Sequence, residues 1–224
     1  DRFFDFLAAL RLVSTLPFHV WSSFEVCDGA LSSVKFYNLQ SACNSPDFAG
    51  CDDLRTPLFF GVDDLEKAGV LNAKVADIVA DTRQSRFASA YTAFSQVGLG
   101  SVGTYQSALV SLVGALDVLT GGECRKEELV DRTCRILNEQ APEMKEFLCQ
   151  CHRQRGRLGH GKPVESTADW DSAEDRGVNL AKLYEVVRCT LCVLLEQDES
   201  DRLEFLSLSG SRWKTFECSR HPLK

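Results

Sequence analysis

The residues best suited to chemistry lie together in one basic segment, His152–Pro163. This segment holds three arginines, one lysine, two histidines and no acidic residue, in a chain whose formal net charge is -7. A guanidinium stays charged and fits phosphate oxygens, and an imidazole exchanges protons near neutral pH. The segment therefore predicts a local phosphate-binding site. A plainer interpretation is a solvated helix end, where the arginines offset the negative end of the helix dipole.

Ten cysteines form a second candidate group. Cys149, Cys151, Cys189 and Cys192 carry thiols of the kind that bind zinc. However, two residues at positions i and i+2 of a helix point to different faces, and both segments have a helical pattern. The favoured interpretation is that most cysteines are reduced, small apolar core residues, with no metal bound.

Apolar periodicity predicts several helices around the basic segment. The predicted helices are Phe3–Leu12, Tyr105–Leu119, Glu127–Asn138, Glu143–Arg155 and Ala173–Glu196. Pro142 precedes the fourth of them, at a position that favours the first helical turn. The sequence thus predicts a mainly α protein built on a bundle of four to five helices.

The first part of the chain predicts a more mixed structure. Aromatic and β-branched runs at Phe18–Val26 and Val34–Leu39 indicate two short strands. Asp63–Asp64 has the character of a helix N-cap, and Gly69 is expected to keep that helix short. The stretch Leu71–Val97 has helical spacing with a polar insert, so it predicts one long helix or two.

Two motifs carry a resemblance to a known family. Arg155–Gly161 contains an arginine, four intervening residues, a histidine and a glycine, and Ala108–Leu119 contains an acid, Asp117, within an Ala-Leu-rich helix. In these features the chain resembles the Apea-like branch of the HEPN superfamily. That branch is marked by Arg, four to six residues and His at the end of a later helix, after a first core helix that carries an acidic residue. The resemblance covers about residues 98–197.

The resemblance implies a metal-independent endoribonuclease of the toxin or phage-defence type. The ribose 2′-hydroxyl would attack the adjacent phosphate and leave a 2′,3′-cyclic phosphate, without a cofactor. It assigns catalysis to Arg155 and His160, with Asp117 as a supporting acid. The proposed RNA-binding residues are Arg153, Arg157, Lys162 and His152. It also implies a homodimer in which the motifs of both subunits line one cleft.

The identity of the motif arginine stays open at this point. Family members usually have a polar residue after the motif arginine, whereas Gly156 follows Arg155. Arg153, six residues before His160, also satisfies the pattern. On a continuous helix Arg153, Arg157 and His160 would share one face, which favours Arg157. If the glycines end the helix before His160, the imidazole can turn toward Arg155, and that is the arrangement expected here.

Composition limits the class of protein. Hydrophobic residues make up 44% and charged residues 25%, which is typical of a folded soluble chain. No apolar run approaches the roughly 20 residues that cross a bilayer, and the first residues do not resemble a secretory signal, so a cytoplasmic location is expected. The absence of an initiating Met suggests a preceding segment. The acidic charge excludes a general nucleic-acid coat, so any contact with RNA is local.

The sequence predicts three segments along the chain. Residues 1–97 are predicted to hold the N-terminal helix, strands and connecting helices, residues 98–197 the HEPN-like domain, and residues 198–224 a tail of unknown role in which Leu203–Leu208 is strand-like. The alternative to a nuclease is a noncatalytic HEPN module that binds RNA or nucleotide, or dimerises, within a larger regulatory or defence system. For the nuclease, the expected restraint is an inhibitor or regulatory partner protein, another domain or a trigger. An unrelated helical interaction protein is the remaining interpretation.

Overall fold

Eight α-helices dominate the described part of the protein. The computed structural model describes residues 2–13, 22–27, 30–36, 61–97, 105–121, 125–162, 170, 172–208 and 213. The helices are α1 (Arg2–Val13), α2 (Val62–Ala80), α3 (Ser85–Gln96), α4 (Tyr105–Thr120), α5 (Lys126–Ile136), α6 (Pro142–Gly159), α7 (Ala173–Glu196) and α8 (Glu199–Ser207). The prediction of a mainly helical protein is therefore confirmed. None of the described helices has the length and apolar character needed to cross a lipid bilayer.

Two strands form an antiparallel hairpin after α1. Strand β1 (Ser22–Cys27) pairs with β2 (Ala30–Phe36). The register shifts between Glu25 and Val26. Residues 18–21, 28–29 and 37–39, which belong to the predicted strands and their turn, lie outside the described residues. Strand β2 begins at Ala30, whereas the second predicted strand begins at Val34.

Helix α4 lies at the centre of the bundle. It packs against α3, α5, α6 and α7. Leu109, Leu112, Leu116 and Leu119 have no exposed surface, and their spacing gives one continuous apolar face. Burying each leucine side chain contributes about 1.5 to 3 kcal/mol, so this face makes a large contribution to stability. It also fixes the rotation of α4 and with it the direction of Asp117.

One apolar core joins all three predicted segments. Leu12 of α1 belongs to the same cluster of buried residues as Leu116 of α4 and Phe205 of α8, and Trp213 belongs to it too. The rings of Phe205 and Trp213 meet edge to face, with centroids 5.0 Å apart. The core therefore crosses the predicted boundary between residues 97 and 98 and extends into the segment predicted to be a tail.

The structure corrects two local predictions and decides between the two alternatives left open for Leu71–Val97. Gly69 does not shorten its helix, because α2 runs for 19 residues and buries Ala68, Val75 and Ile78 against the core. The stretch to Val97 is two helices, separated by a 3-10 turn at Thr82–Gln84.

The predicted strand Leu203–Leu208 is wrong. Residues 203–207 belong to α8, and Asp198 accepts a hydrogen bond of 2.9 Å from the Asp201 N–H at the start of that helix. This N-cap satisfies a backbone donor that a strand would leave for a neighbouring strand. Helical spacing then directs Phe205 and Leu206 into the core.

Five arginines donate hydrogen bonds to backbone carbonyls at the C-terminal ends of helices. They are Arg11 to Ser95 (2.6 Å), Arg86 to Leu206 (2.7 Å), Arg132 to Thr120 (2.6 Å), Arg188 to Leu12 (2.7 Å) and Arg202 to Gln197 (2.9 Å). All except Arg86 are buried. The last carbonyls of a helix lack partners within it and carry partial negative charge. These arginine caps therefore supply the missing donors at the ends of α1, α3, α4, α7 and α8.

Candidate functional site

The rotation of α6 is set by its buried face. Phe147, Leu148, Cys151 and Gln154 are buried at helical spacing, and the helix packs on α4 and α5. Pro142 occupies the first turn, where its missing N–H costs no hydrogen bond. Because these four side chains point inward, the other residues of the basic segment are distributed around the remaining surface of the helix.

The C-terminal end of α6 is a Schellman motif. The Gly161 N–H donates to the Leu158 carbonyl at 3.0 Å, and the Lys162 N–H donates to the Arg157 carbonyl at 2.9 Å. Gly161 has φ +67°, the left-handed conformation that favours glycine after a helix. The His160 N–H still donates to the Gly156 carbonyl at 3.2 Å. The helix therefore stays regular to Gly159, and the glycines within it do not break it.

This regular helix separates the predicted catalytic residues. At about 100° per residue, Arg155 and His160 point roughly 140° apart. His160 and Arg153 are exposed and share one side of the helix with Arg157. We call Arg153, Arg157 and His160 the outer face. Within one chain, Arg153 and Arg157 point roughly 20° and 60° away from His160 around the helix axis. The structure does not bring Arg155 and His160 to one side.

Arg155 points to a different set of residues, which includes the predicted supporting acid. Its Nη2 atom lies 3.9 Å from Oδ2 of Asp117 in α4, and the two side chains are 38% and 20% exposed. Residues 117 and 155 are far apart in sequence and meet only because α6 packs on α4. His152 lies three residues before Arg155, on the same side of α6. We call Asp117, His152 and Arg155 the inner cluster.

The charges around His152 come from three helices. Partial burial lowers the pKa of His152 most, and the positive charges of Arg155 and Lys126 lower it further. The negative charges of Asp117 and Glu127 oppose this shift. Lys126 and Glu127, at the start of α5, pair with each other at 3.4 Å. The net result keeps the imidazole neutral at neutral pH, in a form that can accept a proton.

Asp117 keeps an unused acceptor. Its Oδ1 atom is buried and accepts no hydrogen bond from the described residues. Its Oδ2 atom is too far from Arg155 for a hydrogen bond, although the charges attract one another. A buried carboxylate oxygen is normally hydrogen-bonded. The inner cluster can therefore accept a proton donor, such as a hydroxyl group or a protonated imidazole, without losing an existing bond.

The outer face offers positive charge to solvent. Arg153 and Lys162 are exposed, and neither forms an ion pair within the described ranges. Arg157 is half-buried. The described part of α6 after Glu146 carries no acid, so nothing on the helix itself offsets these charges. The arrangement suits contact with a chain of phosphates.

The cysteines of the described helices lie in or against the core. Cys151 and Cys192 are buried, whereas Cys149 and Cys189 are half-buried and pack on the core. Burial raises the pKa of Cys192 to about 12 and that of Cys189 to about 11. The thiolate form that binds zinc is therefore unfavourable at these two positions. No group of three potential metal ligands occurs in the part of the chain that the structure describes.

Sequence reasoning assigned His152 to RNA binding and did not connect it with Arg155. The spacing of three residues on a predicted helix was the available signal, because such residues are neighbours on one side. The signal for the end of α6 was Gly161–Lys162–Pro163, a glycine just past a helix and a proline soon after it. With these two signals the inner cluster and the outer face could have been separated from sequence.

Neither a protein-family model, nor a curated protein, nor a solved structure matches this chain.

Proposed function

We propose that this chain is a metal-independent endoribonuclease of the HEPN toxin or phage-defence type. One observation carries the proposal. The family resemblance places an acid in one helix and an arginine in another, and these two residues, Asp117 and Arg155, lie 3.9 Å apart beside a solvent-facing basic helix end. The proposal includes a cytoplasmic location, where thiols stay reduced, and a partner protein that restrains the activity.

The reaction is attack of a ribose 2′-hydroxyl on the adjacent phosphate. Arg155 stabilises the extra negative charge of the phosphorane, and His160 transfers a proton to or from a ribose oxygen. Arg153, Arg157 and Lys162 hold neighbouring phosphates by charge. The products are a 2′,3′-cyclic phosphate end and a 5′-hydroxyl end, and no metal or cofactor takes part.

The geometry of α6 makes a second copy of the chain part of this proposal. Arg155 and His160 diverge by roughly 140° on one helix, so both can reach one phosphate most simply when they come from different copies. A two-fold dimer places the same surface of each copy against the other, so two such sites form together. The dimer also concentrates positive charge in one groove of an otherwise acidic protein.

The direct test is cleavage of labelled RNA in excess EDTA. Wild-type protein is expected to produce ends that resist phosphatase until the cyclic phosphate is opened. Arg155→Ala and His160→Ala are each expected to lower the rate by about 10²-fold or more. Lys67→Ala, which removes an exposed charge from α2, is the matched control and should retain the wild-type rate. An inert wild type at protein concentrations that permit dimerisation would overturn the proposal.

Mixing the two inactive variants tests the shared site. In a heterodimer of Arg155→Ala and His160→Ala, one of the two sites regains both groups. Random exchange makes half of the dimers mixed, so the mixture should recover about one quarter of the wild-type rate. If the mixture stays as inactive as its components, Arg155 and His160 do not act from different copies.

The alternative function is a noncatalytic module that binds RNA or nucleotide, or dimerises. The contact of Arg155 with Asp117 favours it, because the carboxylate offsets part of the charge that catalysis would use. A wild type that binds RNA in a salt-dependent manner, with no cleavage in EDTA, would establish this alternative.

A further inference from the structure

We propose that His152 is the proton acceptor of the cleavage reaction, acting beside Arg155, with Asp117 as a positioning residue. This inference rests on the proposed nuclease function and adds a second proton-transfer group to it. The assignment follows from the inner cluster, which joins an imidazole, a guanidinium and a carboxylate from two packed helices.

His152 and Arg155 point to the same side of α6. His152 and Arg155 lie one turn apart on α6, about 60° from each other around the axis, with Cβ atoms about 5 to 6 Å apart. Both are half-buried and flank the buried residues Cys151 and Gln154. A phosphate held by Arg155 therefore lies on the side of α6 that His152 faces, whereas His160 faces away from it.

The protonation state of His152 also suits a proton acceptor. Among the described residues, the charged groups that act most strongly on His152 are Arg155 on its own helix, Asp117 on α4, and Lys126 and Glu127 on α5. Two of these groups are positive and two are negative, and partial burial, the largest cause of the lowered pKa, favours the neutral imidazole. A neutral imidazole at neutral pH is the form that a general base requires.

The carboxylate of Asp117 also has an oxygen that accepts no hydrogen bond from the described residues. When His152 accepts a proton it becomes an imidazolium and needs a nearby negative charge. Asp117 supplies one, and its Oδ1 atom is buried without a hydrogen bond from the described residues. A carboxylate beside an imidazole both orients the ring and stabilises its protonated form. Asp117 thus acts through His152 and not on the substrate.

The proton and electron changes balance without a further reagent. The 2′-O–H bond breaks and its proton moves to His152, while the 2′-oxygen forms a bond to phosphorus. The P–O5′ bond breaks, its electron pair stays on the 5′-oxygen, and that oxygen takes a proton from protonated His160 of the second copy of the chain. Solvent then returns both histidines to their starting states.

A substrate with a better leaving group separates the two histidines. In RNA with sulfur in place of the 5′-bridging oxygen at the cleaved bond, the leaving group is a thiolate. A thiolate needs little protonation near neutral pH. On ordinary RNA, His152→Gln and His160→Gln are each expected to lower the rate by about 10²-fold or more. On the sulfur substrate, His160→Gln should recover to near the wild-type rate, whereas His152→Gln should stay slow.

The pH dependence gives a readout that a purely structural role would not change. The acidic limb of the wild-type rate should have its midpoint below the ordinary histidine pKa of about 6.5. Asp117→Asn removes a charge that raises the pKa of His152, so it should move that midpoint to still lower pH. NMR titration of the His152 ring, assigned with His152→Gln, should show both shifts in protein without RNA and also reports that the variants are folded.

The outcomes distinguish this inference from the proposed function. An active wild type with an equally active His152→Gln overturns the inference alone. Recovery of His152→Gln on the sulfur substrate also overturns it, because the residue would then be the proton donor. An unaltered His152 titration in Asp117→Asn refutes the positioning role. A wild type that cleaves neither substrate overturns the inference together with the nuclease proposal.

Discussion

The arginine caps and the basic end of α6 use the same side chain in opposite ways. The buried caps bind carbonyls at helix ends at 2.6 to 2.9 Å. On the outer face, Arg153 is exposed and forms no ion pair with the described residues. A buried guanidinium must be hydrogen-bonded because its charge is costly to remove from water. Only an exposed one can exchange its water shell for a substrate phosphate.

Arg155 lies between these two extremes. Its side chain is 38% exposed and its nearest carboxylate oxygen, on Asp117, is 3.9 Å away. The contact is close enough to orient the guanidinium and too long to hold it as a hydrogen bond. Because the Asp117 carboxylate orients the guanidinium without a hydrogen bond to it, Arg155 can still bind a ligand.

The largest expected effect belongs to a cap. Arg188→Ala removes bonds of 2.6 and 2.7 Å to Glu185 and one of 2.7 Å to the Leu12 carbonyl. Because the variant removes the arginine donor from the buried Leu12 carbonyl, we expect the free energy of unfolding to fall by about 3 kcal/mol. Urea denaturation measures the change. If Arg188→Ala lowers the free energy of unfolding no more than the loss of an exposed arginine does, the arginine caps are not more important for stability than the outer face.

A smaller effect is expected where α6 ends. Gly161→Ala places a Cβ at φ +67° and should lower the free energy of unfolding by about 1 kcal/mol. Gly156→Ala is the matched control, because a Cβ there meets no atom within 4 Å and the position is helical. It should raise stability by about 1 kcal/mol. Equal signs for the two variants in urea titrations would contradict the Schellman motif.

The smallest effect on stability should come from the outer face itself. Arg153→Ala is expected to change the free energy of unfolding by no more than about 0.5 kcal/mol, because the side chain is exposed. RNA affinity should nevertheless weaken, and the slope of log affinity against log salt should fall by about one. Fluorescence anisotropy at several salt concentrations measures this, with Lys67→Ala as the control. An unchanged slope would show that Arg153 is not part of the proposed RNA-binding surface.

Much of the helical framework could be predicted from local pattern. Helix α7 has the predicted bounds Ala173–Glu196, and Pro142 marked the start of α6. The local pattern is misleading at α8, where the short apolar-rich run Leu203–Leu208 predicts a strand although Asp198 precedes it as an N-cap. The capping residue is the better indicator of the structure there.

The site could be predicted only in part for a physical reason. The residue types in His152–Pro163 were evident from the sequence, but their grouping depends on where the helix stops. One extra helical turn moves His160 from the Arg155 side to the Arg157 side. The arginine caps left no local signal, since Arg188 and the carbonyl of Leu12 are 176 residues apart.

The attachment of α1 to α7 has a consequence for dissecting the protein. Tyr184 donates to the Arg11 carbonyl at 3.4 Å, and Arg188 and Cys192 both donate to that of Leu12. A fragment trimmed to residues 98–197 would strip three buried donors of their acceptors and open the apolar core to water. Helix α1 is therefore part of the packed bundle, and the smallest fragment that folds by itself has to include it.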